Sequence, residues 1–186
     1  MSNIYIAFVD TPGFFASIIR RVIKQRYIHV AIGLDETMEE AYSIGRRNPA
    51  IPFFAGFVKE DKEKILKKFP DAGYKVCRVS CSEEQREYIR NALHEMYLHR
   101  FRYHYTILGL PLILFQKPFE QRYYHTCSSF LARLFEDAGI WRWKKHTSIV
   151  TPRDFYEELE KEEIFEGPLY ELVYPKATVW RKVYEQ

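Results

Sequence analysis

Three features of this 186-residue sequence predict an α+β fold. Short apolar runs of strand character recur along it, two of them joined by a turn of hairpin length. Amphipathic helical patterns lie between and after those runs. Hydrophobic residues make up 47% of the chain, enough to bury a core, and the length fits one domain over residues 1–186.

Taken in order, Ile4 to Val9 is an apolar run ending at the turn signal Asp10-Thr-Pro-Gly13, and reads as a strand. Phe14 to Gln25 sets Phe14, Phe15, Ile18, Ile19, Val22 and Ile23 at helical spacing, with Arg20, Arg21 and Lys24 off that stripe. Tyr27 to Leu34 and Glu40 to Ile44 read as strands, with Asp35 to Met38 turning between them. A charged helix is expected over Lys59 to Lys68, closed by Pro70 and Gly73, then a strand over Tyr74 to Val79. Ser82-Glu-Glu-Gln85 is a capping-box pattern. It opens a helix with Tyr88, Ile89, Ala92, Leu93, Met96 and Tyr97 on one face. Tyr103 to Phe119 is aromatic and apolar, with no clear period. Cys127 to Ala138 is helical, Gly139 fitting its C-terminal cap. Thr151-Pro152 opens a further short helix. Strand-like pieces near Tyr170 to Tyr174 and Thr178 to Val183 end the chain.

Composition excludes several classes of function. Aromatic residues at 17% argue against disorder and suggest a ring-lined groove. A net charge of +3, with both signs mixed in runs such as Lys59–Lys68 and Glu157–Glu163, argues against a nucleic-acid partner. Three cysteines are too few for a disulfide scaffold. The start of the chain shows no secretory signal, and the longest apolar stretch, Ile107 to Phe115, holds Pro111 and is too short for a membrane span. The expectation is a cytoplasmic protein with reduced thiols and no stable membrane insertion.

Cys127 directly starts a helix. Free backbone N–H groups and the positive end of the helix dipole stabilise a thiolate there, and the same groups can hold an oxyanion. The alternative is a small buried thiol under the helix. His29 lies inside the apolar strand Ile28-His29-Val30-Ala31-Ile32, where an imidazole needs partners. It is either a core histidine with those partners or a base fixed on a rigid element. Glu40, on the next strand, is a candidate to orient an imidazole. A simple hairpin pairs Glu40 near Gly33, on the face of His29 but some way along the strand, so a bulge or shifted register is needed to join them. A solvated strand residue is the alternative. Cys77 and Cys81 form a half-pair too weak to signal a metal site, and read as packing residues. His94 and His99 read as surface groups. No glycine-rich phosphate loop or serine nucleophile elbow occurs.

This order of parts resembles the circularly permuted branch of the NlpC-type papain-like superfamily, the YiiX-like and lecithin-retinol-acyltransferase-like proteins. In that branch the histidine strand comes early and the cysteine helix late. Tyr27-Ile28-His29-Val30-Ala31-Ile32 resembles the histidine strand, and Glu40-Ala41 the following strand with its acidic residue. Tyr103-His104-Tyr105 resembles the tyrosine-rich segment, Thr126-Cys127-Ser128-Ser129-Phe130 the nucleophile helix, and Thr151-Pro152 the element after it. Ile28, Ala31 and His104 depart from the family pattern. The resemblance implies an antiparallel, partly barrel-like sheet packed on the Cys127 helix. It implies a triad of Cys127, His29 and Glu40, with Tyr103, Tyr105, His125 and Thr126 near the substrate. The expected activity is cleavage of an amide in a peptide or N-acyl amino acid through a thioester, with no metal or organic cofactor. Lipid acyl transfer by the same pair, or a non-enzymatic binding module, are the alternatives. For an amidase, Ile107 to Phe115 is expected to be core; for acyl transfer, Leu108, Leu112 and Phe115 would line an acyl channel.

Overall fold

The computed structural model describes residues 1–47, 55–106, 109–119 and 122–175, apart from the side chains of Phe14, Phe15 and Leu110. The expected strand Thr178 to Val183 lies outside these residues, as do Ile107 and Leu108.

The described chain is α+β: an open sheet with helices on both faces. In chain order the elements begin with β1 (Ser2–Asp10), α1 (Phe14–Ile23), β2 (His29–Gly33), β3 (Ala41–Arg46) and β4 (Ala55–Lys59). They continue with α2 (Lys62–Lys68), β5 (Gly73–Cys81), α3 (Glu83–Leu98), β6 (His104–Tyr105), α4 (Gly109–Leu114) and β7 (Tyr124–His125). Then come α5 (Cys127–Asp137), α6 (Pro152–Glu158), β8 (Glu162–Pro168) and α7 (Leu169–Val173). The strand order is β7-β6-β4-β3-β2-β1-β5-β8. Every neighbouring pair is antiparallel except β6–β7. Among the described residues the sheet does not close into a barrel.

β1 is central and buried on both faces, which explains its unbroken apolar run. Ile4, Ile6 and Phe8 join Val30, Ile32, Ile44 and Phe57 in a core covered by α3, α5 and α6. Ala7, Val9, Ala31, Ala41, Tyr74 and Val76 face the other way, under α2 and α7. Three capping boxes fix helix starts: Ser82 with Gln85, Thr126 with Ser129, and Thr151 with Asp154.

Several elements differ from the sequence expectation. β4 and the break after it were hidden by the charges that begin at Lys59. Asp61 is the cap of α2, accepting from Lys64 N at 2.9 Å, so Lys59 and Glu60 precede the helix. Tyr170 to Tyr174 is not a strand, because Leu169–Val173 forms the short helix α7. The last described strand is the acidic β8, paired on the outer edge of β5. The segment expected to be core is only partly so: Ile113 is buried, but Leu114 and Phe115 are 55% and 73% exposed.

Candidate active site

Cys127 is the first residue of α5, whose register is set by the Thr126 cap. Thr126 Oγ1 accepts from Ser129 N at 3.1 Å, and Thr126 N donates to Ser129 Oγ at 2.9 Å. This satisfies two of the helix's free N–H groups and leaves those of Cys127 and Ser128 at the terminus. Ser128 Oγ donates to Val150 O at 2.7 Å, tying the start of the helix to the segment before α6. The Cys127 side chain is buried where α5 packs on β2 and β3. Those strands pair only at Ile32↔Tyr42 and Gly33↔Ala41, then separate. Val30 N–H, beyond the last rung of that ladder, and Ser128 N–H lie near enough to the sulfur to favour its anion.

His29 is the first residue of β2, beside the same opening. Its Nε2 lies 3.0 Å from Glu60 Oε1, and the ring lies close enough to the Cys127 thiol for each to act on the other's charge. With Nε2 engaged by Glu60, Nδ1 is the nitrogen available to the sulfur. Ser43 Oγ donates to the same carboxylate oxygen, so a continuous chain runs Cys127–His29–Glu60–Ser43.

The electrostatics of this chain are mutually reinforcing. Burial opposes charge on His29, but the Cys127 sulfur and the Glu60 carboxylate outweigh it and raise its pKa above the ordinary imidazole value. Burial also opposes a Cys127 thiolate. The His29 cation and the N–H groups of Val30 and Ser128 outweigh that, holding the thiol below its ordinary value. Glu60 behaves alike: despite burial, His29 and Ser43 keep its carboxyl below the ordinary range. Cys77 and Cys81 have only burial to act on them in strength, and their pKa values rise.

Glu40 does not reach His29. Leu34 N donates to Glu40 O, so Glu40 lies opposite Leu34 rather than Gly33. This shift of one residue turns the side chain to the opposite sheet face. There its carboxylate lies 2.6 Å from His94 Nε2 and accepts from Tyr42 Oη at 3.2 Å. The carboxylate that does reach His29 is that of Glu60: Glu60 N donates to Ala41 O at 2.8 Å, placing Glu60 opposite Ala41 and on the face shared with Ser43. The signal for it was present in Asp61, whose capping role places Glu60 at a strand end. Ser43 and the Val30 N–H carried no sequence signal.

The remaining expected site residues are spread around this chain. Burial and the Cys127 charge push the Tyr105 phenol well up, so it stays protonated beside the thiolate. His125 pairs with Tyr105 in the β6–β7 ladder and packs edge-on against Phe130. It also lines a groove of about 520 Å³ between α3 and α5, with Ala92, Met96, Leu134 and Arg133. Tyr103 packs on Phe57 and meets Tyr123 edge-on. Thr126 is buried and its hydroxyl accepts the cap bond that shapes the helix start. Among the described residues no group of three or more His, Cys, Asp or Glu is placed to hold a metal ion. No described helix is long and apolar enough to cross a membrane. Comparison with protein-family models, with curated proteins and with solved structures gave no match.

Proposed function

We propose that this chain is a thiol hydrolase in which Cys127 attacks a carbonyl, His29 is its base and Glu60 orients the imidazole. The observation that carries this reading is the chain Cys127–His29–Glu60, assembled from three separate elements. A histidine needed only for packing has no use for a buried carboxylate on one nitrogen and a thiol on the other.

His29 takes the thiol proton, giving a thiolate–imidazolium pair that Glu60 stabilises. The sulfur adds to the carbonyl carbon of an amide. The resulting oxyanion is held by helix-terminal N–H, that of Cys127 in particular. The carbon–nitrogen bond breaks as His29 returns its proton to the departing amine, leaving a thioester. Water, deprotonated by His29, then releases the acid and frees the thiol. Tyr105, neutral and close to the sulfur, is a further donor toward the bound carbonyl. The permuted papain-like arrangement fits this use of an early histidine strand and a late cysteine helix.

The substrate favoured is a peptide or N-acyl amino acid amide. A second reading, acyl transfer from a lipid, is favoured by one observation: Leu114 and Phe115 at the end of α4 are exposed rather than core. Product analysis after incubation with an acyl-amide library and with phospholipids separates the two. Release of an amine, absent in Cys127→Ala, supports the amidase. Release of a fatty acyl group, or its transfer to another acceptor, supports the second reading. No product from either set, with Cys127 chemically accessible, counts against both.

A further inference from the structure

From α1 we infer a docking surface for an anionic phospholipid bilayer. Between Thr11 and Gly33 the sequence holds four Lys and Arg and no Asp or Glu. The rest of the chain carries 24 Lys and Arg against 25 Asp and Glu, a net −1, so the positive charge of the whole chain resides in this segment.

The helix divides these groups by role. Arg20 and Arg26 are fixed to the body: Arg20 Nε donates to Asp10 Oδ1 at 3.1 Å, and Arg26 Nε to Asp10 Oδ2 at 3.2 Å. Arg21 and Lys24 are exposed, with no acidic partner among the described residues. Ala16 and Ile23 supply the face buried on the protein. Among the described residues the apolar side chains of the next face are only partly covered: Ile18 is 45% exposed, and Ile19 and Val22 are half-buried. A helix with a partly exposed apolar stripe beside exposed cations is the pattern that settles in the headgroup region of a bilayer. A polyanion such as RNA would use the cations but leave the isoleucines in water. A bilayer uses both, which decides between them.

The position adds a consequence. α1 joins the end of β1 to the start of β2, and Val9 is the register partner of His29. A bilayer held on α1 therefore lies at the end of the sheet where His29 meets Cys127. Docking itself does not depend on the thiol chemistry, and its readout needs no turnover.

The test is co-sedimentation of the full chain with phosphatidylcholine vesicles, with and without phosphatidylserine, at low and high salt. Binding is expected only to the serine-containing vesicles and weakens with salt. Arg21→Glu with Lys24→Glu should lower partitioning by about 30-fold or more, each cation near such a surface contributing roughly fivefold. Ile18→Asp should also abolish binding, whereas Lys67→Glu with Lys68→Glu, the same charge change on α2, should not. All of these side chains are exposed, so unchanged thermal unfolding is expected and serves as the folding check. Four results would overturn the proposal: no vesicle binding, equal loss from the α2 variant, retained binding in Ile18→Asp, or a wild-type dimer in sedimentation velocity that Ile18→Asp dissociates.

Discussion

Glu60 and Glu40 make opposite predictions for the same substitution. Glu60 touches His29 Nε2, while Glu40 touches His94 on the far face of the sheet. On an assayed substrate, Glu60→Gln is expected to lower turnover by about 10- to 10⁴-fold, since it removes the charge that stabilises the imidazolium and alters the tautomer. Glu40→Gln is expected to leave turnover within about twofold, because a half-exposed ion pair contributes little. Steady-state kinetics of the two variants checks this, and the reverse ranking would assign the orienting role to Glu40. Glu60 also has a stability signature. His29→Gln leaves its carboxylate buried without the cation, which should cost about 3 kcal/mol at neutral pH. A carboxyl held below its ordinary value adds stability above that value and loses it as pH falls through the depressed one. The gap between wild type and His29→Gln should therefore narrow on acidification, as read by urea unfolding at several pH values.

At the scale of elements, the site depends on where α5 begins and on how close β4 comes to β6. Thr126→Ala removes the cap that sets the start of α5, and should cost about 1 kcal/mol in stability. It should also slow alkylation of Cys127, since the sulfur is held by that first turn. Gly56 opposes His104 at the β4–β6 junction, and a Cβ there meets the Tyr103 carbonyl and the Arg47 guanidinium. Gly56→Ala should lower stability by about 1–3 kcal/mol, measured by thermal unfolding. The helices were legible in the sequence because their signals are local: three capping boxes and a 3.6-residue stripe need only neighbours. Cys127 was legible for the same reason, standing at a helix start. Glu60 was less so: the Asp61 cap marks a strand end before it, but a carboxylate in a charged run looks solvated until the pairing of β3 with β4 turns it inward. The register of the β2–β3 hairpin was off by one residue, and in a strand that error changes the face.

At the scale of the whole molecule, the site exists only because the folded chain joins residues 29 and 127. Neither side chain is unusual alone. In the native protein the sulfur has a cation beside it and two backbone N–H groups near it. In the unfolded chain it has none of these. The measurement is the rate of Cys127 alkylation by iodoacetamide against pH, read by mass spectrometry for each cysteine. It is made on native protein, on the His29→Ala variant and on protein unfolded in urea. The expected result is that native Cys127 reacts faster than Cys77 and Cys81 and stays reactive to a pH well below the ordinary thiol value. His29→Ala and the unfolded chain should return its profile toward that of a simple thiol. Preferential labelling of Cys77 or Cys81 in native protein, or a Cys127 profile unchanged by His29→Ala, would contradict the account.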